Sequence, residues 1–184
     1  MKKFTLTVAM RCLTAMLALC AVIIVAPARA MPSHAAPAQK DYLTSLEADK
    51  IRDAETINEK VKLFLTYAED RLKKFQYELE HPALSLHEET LNGLMNGYES
   101  CVDDAADLIQ LGIDKQQNVR AGIDLMSSKS KEFLETLHKI QIDAKELEVY
   151  KDNLDDAIDG TTDAMNEAER AKKKVAAPPV RRKN

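Results

Sequence analysis

The sequence predicts an all-α fold, an elongated antiparallel bundle of three to four long helices with coiled-coil-like packing. Three observations predict it. Apolar residues recur in alternating steps of four and three along most of the chain, the spacing that lines one face of a helix. Caps of the Thr/Ser/Asp-x-x-Glu type stand where those runs begin. The composition is 30% charged and 5% aromatic, with no Trp and only 5 Gly in 184 residues. That leaves too few strand formers and turn glycines for an antiparallel sheet.

The first element is a targeting segment. Lys2, Lys3 and Arg11 flank the apolar run Cys12–Val25, and Ala28-Arg29-Ala30 offers small residues for a cleavage site. This pattern predicts a signal peptide over residues 1–30, with Ala36-Pro37-Ala38 as the nearest rival site. Crossing a bilayer takes about 20 apolar residues, so the run is too short for an anchor. Lipid attachment at Cys20 is disfavoured by the bulky Leu19 before it. Residues 31–40 (MPSHAAPAQK) have no period and are expected to form a flexible leader. Export then places the protein in a periplasmic or extracellular compartment.

Removal of residues 1–30 leaves 22 basic and 30 acidic residues, and six of those bases fall in the last thirteen positions. The remainder, up to Ala171, has a net charge of −14. Such a surface repels phosphate backbones, so nucleic acid is not an expected partner. Cys101 is the one cysteine left after cleavage, so no internal disulfide can form and stability must come from packing.

The helical bundle domain is expected over residues 41–174. Capping boxes are read at Thr44…Glu47, Thr56…Glu59, Ser85…Glu88 and Asp143…Glu146. They predict a short helix near 45–54 and a longer one at 57–80 with Val61, Leu65, Ala68, Leu72, Phe75 and Leu79 inward. His81-Pro82 stops that helix, because proline disfavours helix at the residue before it and has no N–H to donate.

From Leu91 the alternation runs through Met95, Tyr98, Val102, Ala105 and Ile109. It stays in phase across Gly112 and Gln116 to Val119, Ile123, Met126, Ser130, Phe133, Leu137 and Ile140. Beyond Asp143 it continues at Ala144, Leu147, Lys151, Leu154, Ile158 and Met165. The preserved phase favours one continuous helix over 86–141. The competing reading breaks it at Leu111-Gly112-Ile113-Asp114, with Gly112 as a C-cap and Asp114 opening a new helix with Gln117. Residues 175–184, after Lys172-Lys173-Lys174, form a basic, proline-broken tail expected to be disordered.

Several patterns invite a chemical reading, and none is expected to be a site. Glu78…His81 and Glu135…His138 have the Glu-x-x-His spacing of di-metal bundles. With Phe133 and Leu137 inward, however, Glu135 and His138 point away from the core, and His81 adjoins the proline. Asp155–Asn166 resembles a calcium loop around Gly160, but Ala157 and Asn166 occupy ligand positions and the helical period runs through it. Asp103, Asp104 and Asp107 read as a charged helix face. Cys101 borders the apolar stripe as a small buried hydrophobe. Gly93 and Gly97 form a GxxxG spacing that is specific only in membranes and are expected off the seam.

No catalytic, cofactor-binding or metal-binding residue is therefore assigned, and neither a cofactor nor an enzymatic activity is expected. The expectation is an exported, non-enzymatic bundle that binds or scaffolds proteins in the cell envelope. Its partners would be other proteins or its own copies, met through helical faces, with the basic tail touching an anionic envelope surface. The alternative is a bundle that holds a metal ion or small ligand between its helices.

Overall fold

The structure, a computed structural model, describes residues 42–143 and 145–175, all within the unit Gln39–Asn184. The unit Met1–Ala38, the expected signal peptide over 1–30, the leader over 31–40, Ala144 and the tail beyond Val175 lie outside the described residues. Five helices occur among those described: α1 (Ser45–Asp53), α2 (Ile57–Glu80), α3 (His87–Asp114), α4 (Arg120–Asp143) and α5 (Leu147–Lys174). The fold is all-helical, and the helices pack against one another as a bundle.

The two threonine caps form as expected. Thr44 N–H donates to Glu47 Oε2 at 2.9 Å while Glu47 N–H donates to Thr44 Oγ1 at 3.3 Å. The matching distances at Thr56 and Glu59 are 3.0 and 3.2 Å. Helix α2 closes at Glu80, ahead of His81-Pro82. The other two boxes do not form. Helix α3 starts behind Leu86, held left-handed at φ 61° without a side-chain cap. Asp143 ends α4, and α5 starts behind a left-handed Glu146 at φ 54°. Side chains with a Cβ pay about 1–3 kcal/mol for that conformation, so tertiary contacts must impose it.

The continuous helix over 86–141 is also corrected, and the break falls later than the competing reading placed it. Helix α3 runs through Gly112 to Asp114 and ends in a Schellman motif. There Gln116 is left-handed (φ 55°), Gln117 N–H donates to Gly112 O at 2.8 Å, and Gln116 N–H donates to Ile113 O at 2.9 Å. The free N–H groups of α4 are met by one distant and one neighbouring asparagine. Asn58 in α2 accepts from Gly122 N–H at 2.8 Å and donates to Asn118 O at 2.7 Å, and Asn118 Oδ1 accepts from Arg120 N–H at 3.3 Å. Gly112 is glycine because of a close approach. A Cβ there would lie 2.2 Å from Cγ1 of Val119.

Helix α2 packs beside α3 and α4, and α5 packs beside the same two; α3 and α4 meet little, across the diagonal. The start of α2 meets the start of α4 through Asn58 and Gly122, so these neighbours run parallel. The starts of α3 and α5 meet through His87 and Glu146, so these do too. The bundle is thus two antiparallel hairpins, α2–α3 and α4–α5, joined by a diagonal crossing at 115–119.

The core collects the expected stripe from α2, α3 and α4, with Val61, Phe75, Leu91, Met95, Tyr98, Ile123, Met126 and Leu137 fully enclosed. In α5 the expected register is one step off. Ile158 and Met165 are half-buried and Lys151 is exposed, while Tyr150, Leu154, Ala157, Thr161, Ala164, Ala168 and Ala171 face inward. The alternation of four and three still holds, on small residues that let α5 approach its neighbours closely. Phe75 meets Tyr150 edge-on at 5.0 Å, and Tyr98 meets Phe133 at 5.6 Å, geometries worth about 0.5–1.5 kcal/mol each beyond burial. Thr161 Oγ1 donates to Ala157 O, which leaves Tyr98 O–H to donate to Thr161 at 2.6 Å. Gly97, expected off the seam, is buried beside Arg71 and Tyr42, whereas Gly93 faces open space.

Candidate functional site

The end of the bundle where α2 and α4 finish and α3 and α5 begin carries a polar cluster that ties three segments together. Glu78, in the last turn of α2, accepts from Ala83 N–H at 2.9 Å and so ties down the connection over residues 81–86. The same Oε1 lies 2.7 Å from Nδ1 of His87, the first residue of α3. Across the gap, His87 Nε2 lies 3.0 Å from Oε2 of Glu146. Carboxylates only accept, so both contacts are hydrogen bonds only if both ring nitrogens carry a proton. The two carboxylates favour the imidazolium form of His87. The Glu78 contact first, then that of Glu146, raises its pKa above the ordinary value, and His87 in turn lowers that of Glu78. The side chains of His87 and Glu78 are only 19% and 13% exposed, against 56% for Glu146.

This arrangement fits a clasp better than a catalytic or metal centre. Both ring nitrogens already face carboxylates, so neither is turned toward an open space where a substrate or ligand could sit. The two carboxylates sit at opposite nitrogens and do not converge on one point. No group of three or more His, Cys, Asp or Glu side chains among the described residues could hold a metal ion.

Two further features share this end. A cleft of about 360 Å³ has a floor of Leu79, Ile140 and Tyr150, and Glu80, Lys139 and Lys145 at its rim. Tyr150 O–H donates to Lys145 O at 2.9 Å and fixes one wall. Of the six large apolar side chains exposed among the described residues, four (Tyr77, Leu84, Leu86 and Ile142) belong to this end; the others are Leu46 and Leu111.

The residues singled out by sequence are dispersed. Glu78 pairs with His87 and not with His81, which is exposed and stacks on Tyr77 at 4.4 Å. Glu135 and His138 are exposed on α4. Asp155–Asn166 is uninterrupted helix within α5. Asp103 stands on an acidic ridge between α3 and α5 with Glu99 and Asp156; burial, then neighbouring carboxylates, raises the pKa of both Glu99 and Asp103. Cys101 is fully buried. Sequence reading missed His87 because its partners lie 9 and 59 residues away. No protein family, curated protein or solved structure matches this chain.

Proposed function

We propose that this chain is an exported, non-enzymatic helical-bundle protein that binds or scaffolds other proteins in the cell envelope, with the apolar end of the bundle as its contact surface. The grouping of Tyr77, Leu84, Leu86 and Ile142 at that end carries the reading. Large exposed apolar side chains concentrated in one region, rather than scattered singly, mark interaction surfaces. The signal-peptide pattern over residues 1–30 supports export, and the body charge of −14 supports protein partners over nucleic acid.

A photo-crosslinking residue at Leu84 should form one discrete adduct in envelope fractions, and Ile142→Glu should weaken it. The same probe at Lys60, at the opposite end, should form none. Equal labelling at both positions, or an adduct indifferent to Ile142→Glu, would sink the contact surface. Export is tested separately by the mass of the mature chain, expected to begin at Met31.

The cleft supports the alternative, a small-ligand bundle. Its apolar floor, below a rim where Lys139 and Lys145 are balanced by Glu80 and Asp143, suits a small, largely apolar molecule. Native mass spectrometry of the purified protein would then show a bound non-protein mass; the bare chain mass alone removes this reading.

A further inference from the structure

We propose that residues 115–119 are a two-state hinge, through which this chain exchanges its α4–α5 hairpin with a second copy of itself while α3 and α4 straighten into one helix over 87–143.

The sequence of the connection is helical in character. Ile109, Gly112, Gln116, Val119 and Ile123 keep steps of three and four without a slip, although a turn gives no reason to keep phase. Lys115-Gln116-Gln117-Asn118 contains neither Gly nor Pro, and Lys and Gln are good helix formers. The folded-back state is a strained way for this segment to exist. Gln116 is left-handed at φ 55°, a cost that a straight helix abolishes. Val119 is pressed onto Gly112 so tightly that a Cβ at residue 112 would meet it at 2.2 Å. In a straight helix those two residues, seven apart, are separated by about 10.5 Å along the axis, and the conflict disappears.

What holds the hinge closed is specific to the closed state. The Schellman hydrogen bonds, and the Asn58 bonds to Asn118 O and Gly122 N–H, exist only when α4 starts afresh. Beyond those bonds and the seat of Val119 against Gly112, the contacts between the helices survive the exchange. The α2–α3 and α4–α5 hairpins stay intact. The α2/α4 and α3/α5 surfaces, including Lys129–Glu69 at 3.0 Å and Tyr98–Thr161 at 2.6 Å, re-form between copies. The balance between monomer and dimer therefore rests on the hinge and on protein concentration, the condition in which short strained loops favour swapping.

Gly112→Ala clashes in the closed hinge and promotes the straight helix. In the full chain, followed by size-exclusion chromatography with light scattering, it should raise the dimer fraction at fixed concentration by about tenfold or more. Asn58→Ala, which removes only closed-state bonds, should shift it the same way by a smaller factor. To identify exchange, Glu69→Cys and Lys129→Cys are combined and bridged with a short bis-maleimide. The swapped dimer gives a covalent dimer on a denaturing gel, and the closed chain gives an internal loop at monomer size. A helical Gly112→Ala chain that stays monomeric, or a dimer whose bridges are all internal, overturns the proposal. If Gly112→Ala lacks helical circular dichroism, Asn58→Ala decides, and an unchanged dimer fraction overturns it.

Discussion

Arg71 in α2 grips Glu47 in α1 at two points, Nη1 to Oε1 at 2.6 Å and Nη2 to Oε2 at 2.7 Å, with both side chains almost out of solvent. The same guanidinium donates to Tyr42 O at 3.0 Å and lies over the Tyr67 ring. No residue of α1 is fully buried, so this pair and Leu43, just before the helix, anchor it.

The two partners are not equivalent. Removing Glu47 leaves a cation that is 9% exposed on a long, well-packed helix without its carboxylate. Removing Arg71 leaves a carboxylate that is 14% exposed, but on a short helix with no buried residue that can turn it to water. Glu47→Ala should therefore cost about 3 kcal/mol, or undock α1, and Arg71→Met roughly half as much. Urea titrations of both variants measure the difference, and equal losses would contradict the asymmetry. The Arg71 hydrogen bonds, against an opposing effect of burial, hold the Glu47 carboxyl down at about 2 from an ordinary 4.5. Its contribution is complete above 4.5 and is lost as pH falls through about 2.

His87 titrates on the other side. With its pKa raised by Glu78 and Glu146, its contribution is complete below the ordinary value of 6.5 and fades as pH rises through the elevated one. Glu78, lowered by His87, adds stability above 4.5 that disappears in acid. Wild-type stability should fall as pH rises above the ordinary histidine value of 6.5, and His87→Gln should flatten that limb. Amide exchange at Thr90 and Val149, whose N–H groups bond to Leu86 O and Glu146 O, reports it locally. A limb of unchanged steepness in His87→Gln would place the titrating group elsewhere.

Tyr67 buries a hydroxyl with no hydrogen-bond partner among the described residues, and burial pushes its pKa up. Tyr67→Phe removes that desolvated group and keeps the ring beneath Arg71. It should stabilise by up to about 1 kcal/mol, seen as a higher melting temperature. A loss of stability would reveal a partner for the hydroxyl in solution.

The acidic ridge works against folding at neutral pH. Glu99 and Asp103 have raised pKa values, so the folded state prefers them neutral, and their cost lifts as pH falls through those values. Asp103→Asn should raise stability slightly, by ~0.5 kcal/mol or less given its exposure, and added salt should shrink the gain. A destabilised variant would mean that Asp103 holds a partner the ridge does not display.

The fold was readable where its causes are local. Helix α2 and the caps at Thr44 and Thr56 are written in neighbouring residues, and the inward stripe of three helices follows from their period alone. The break between α3 and α4 was not readable, because its cap is supplied by Asn58, 64 residues before Gly122, and because helix-forming Gln116 takes the left-handed turn. The false caps at Ser85 and Asp143 share that cause: Glu78, His87 and Glu146 join across the fold and set those helix starts. The register of α5 was misjudged because alanine carries too weak an apolar signal to compete with Ile158 and Met165. The clasp itself left no trace in spacing, since its three members come from three separate segments.

The alanine face of α5 has one more consequence. Alanines contribute little area to the hydrophobic effect, so the far half of that helix leans on its flanks: Lys172 to Asp124 at 2.9 Å, Arg120 to Val175 O at 2.9 Å, and Ser127 to Glu169. These are largely ionic and close to water, so concentrated electrolyte attenuates them while leaving the aromatic layers untouched. The final turns of α5 should be the first part of the bundle to breathe, with brine rather than warmth as the trigger.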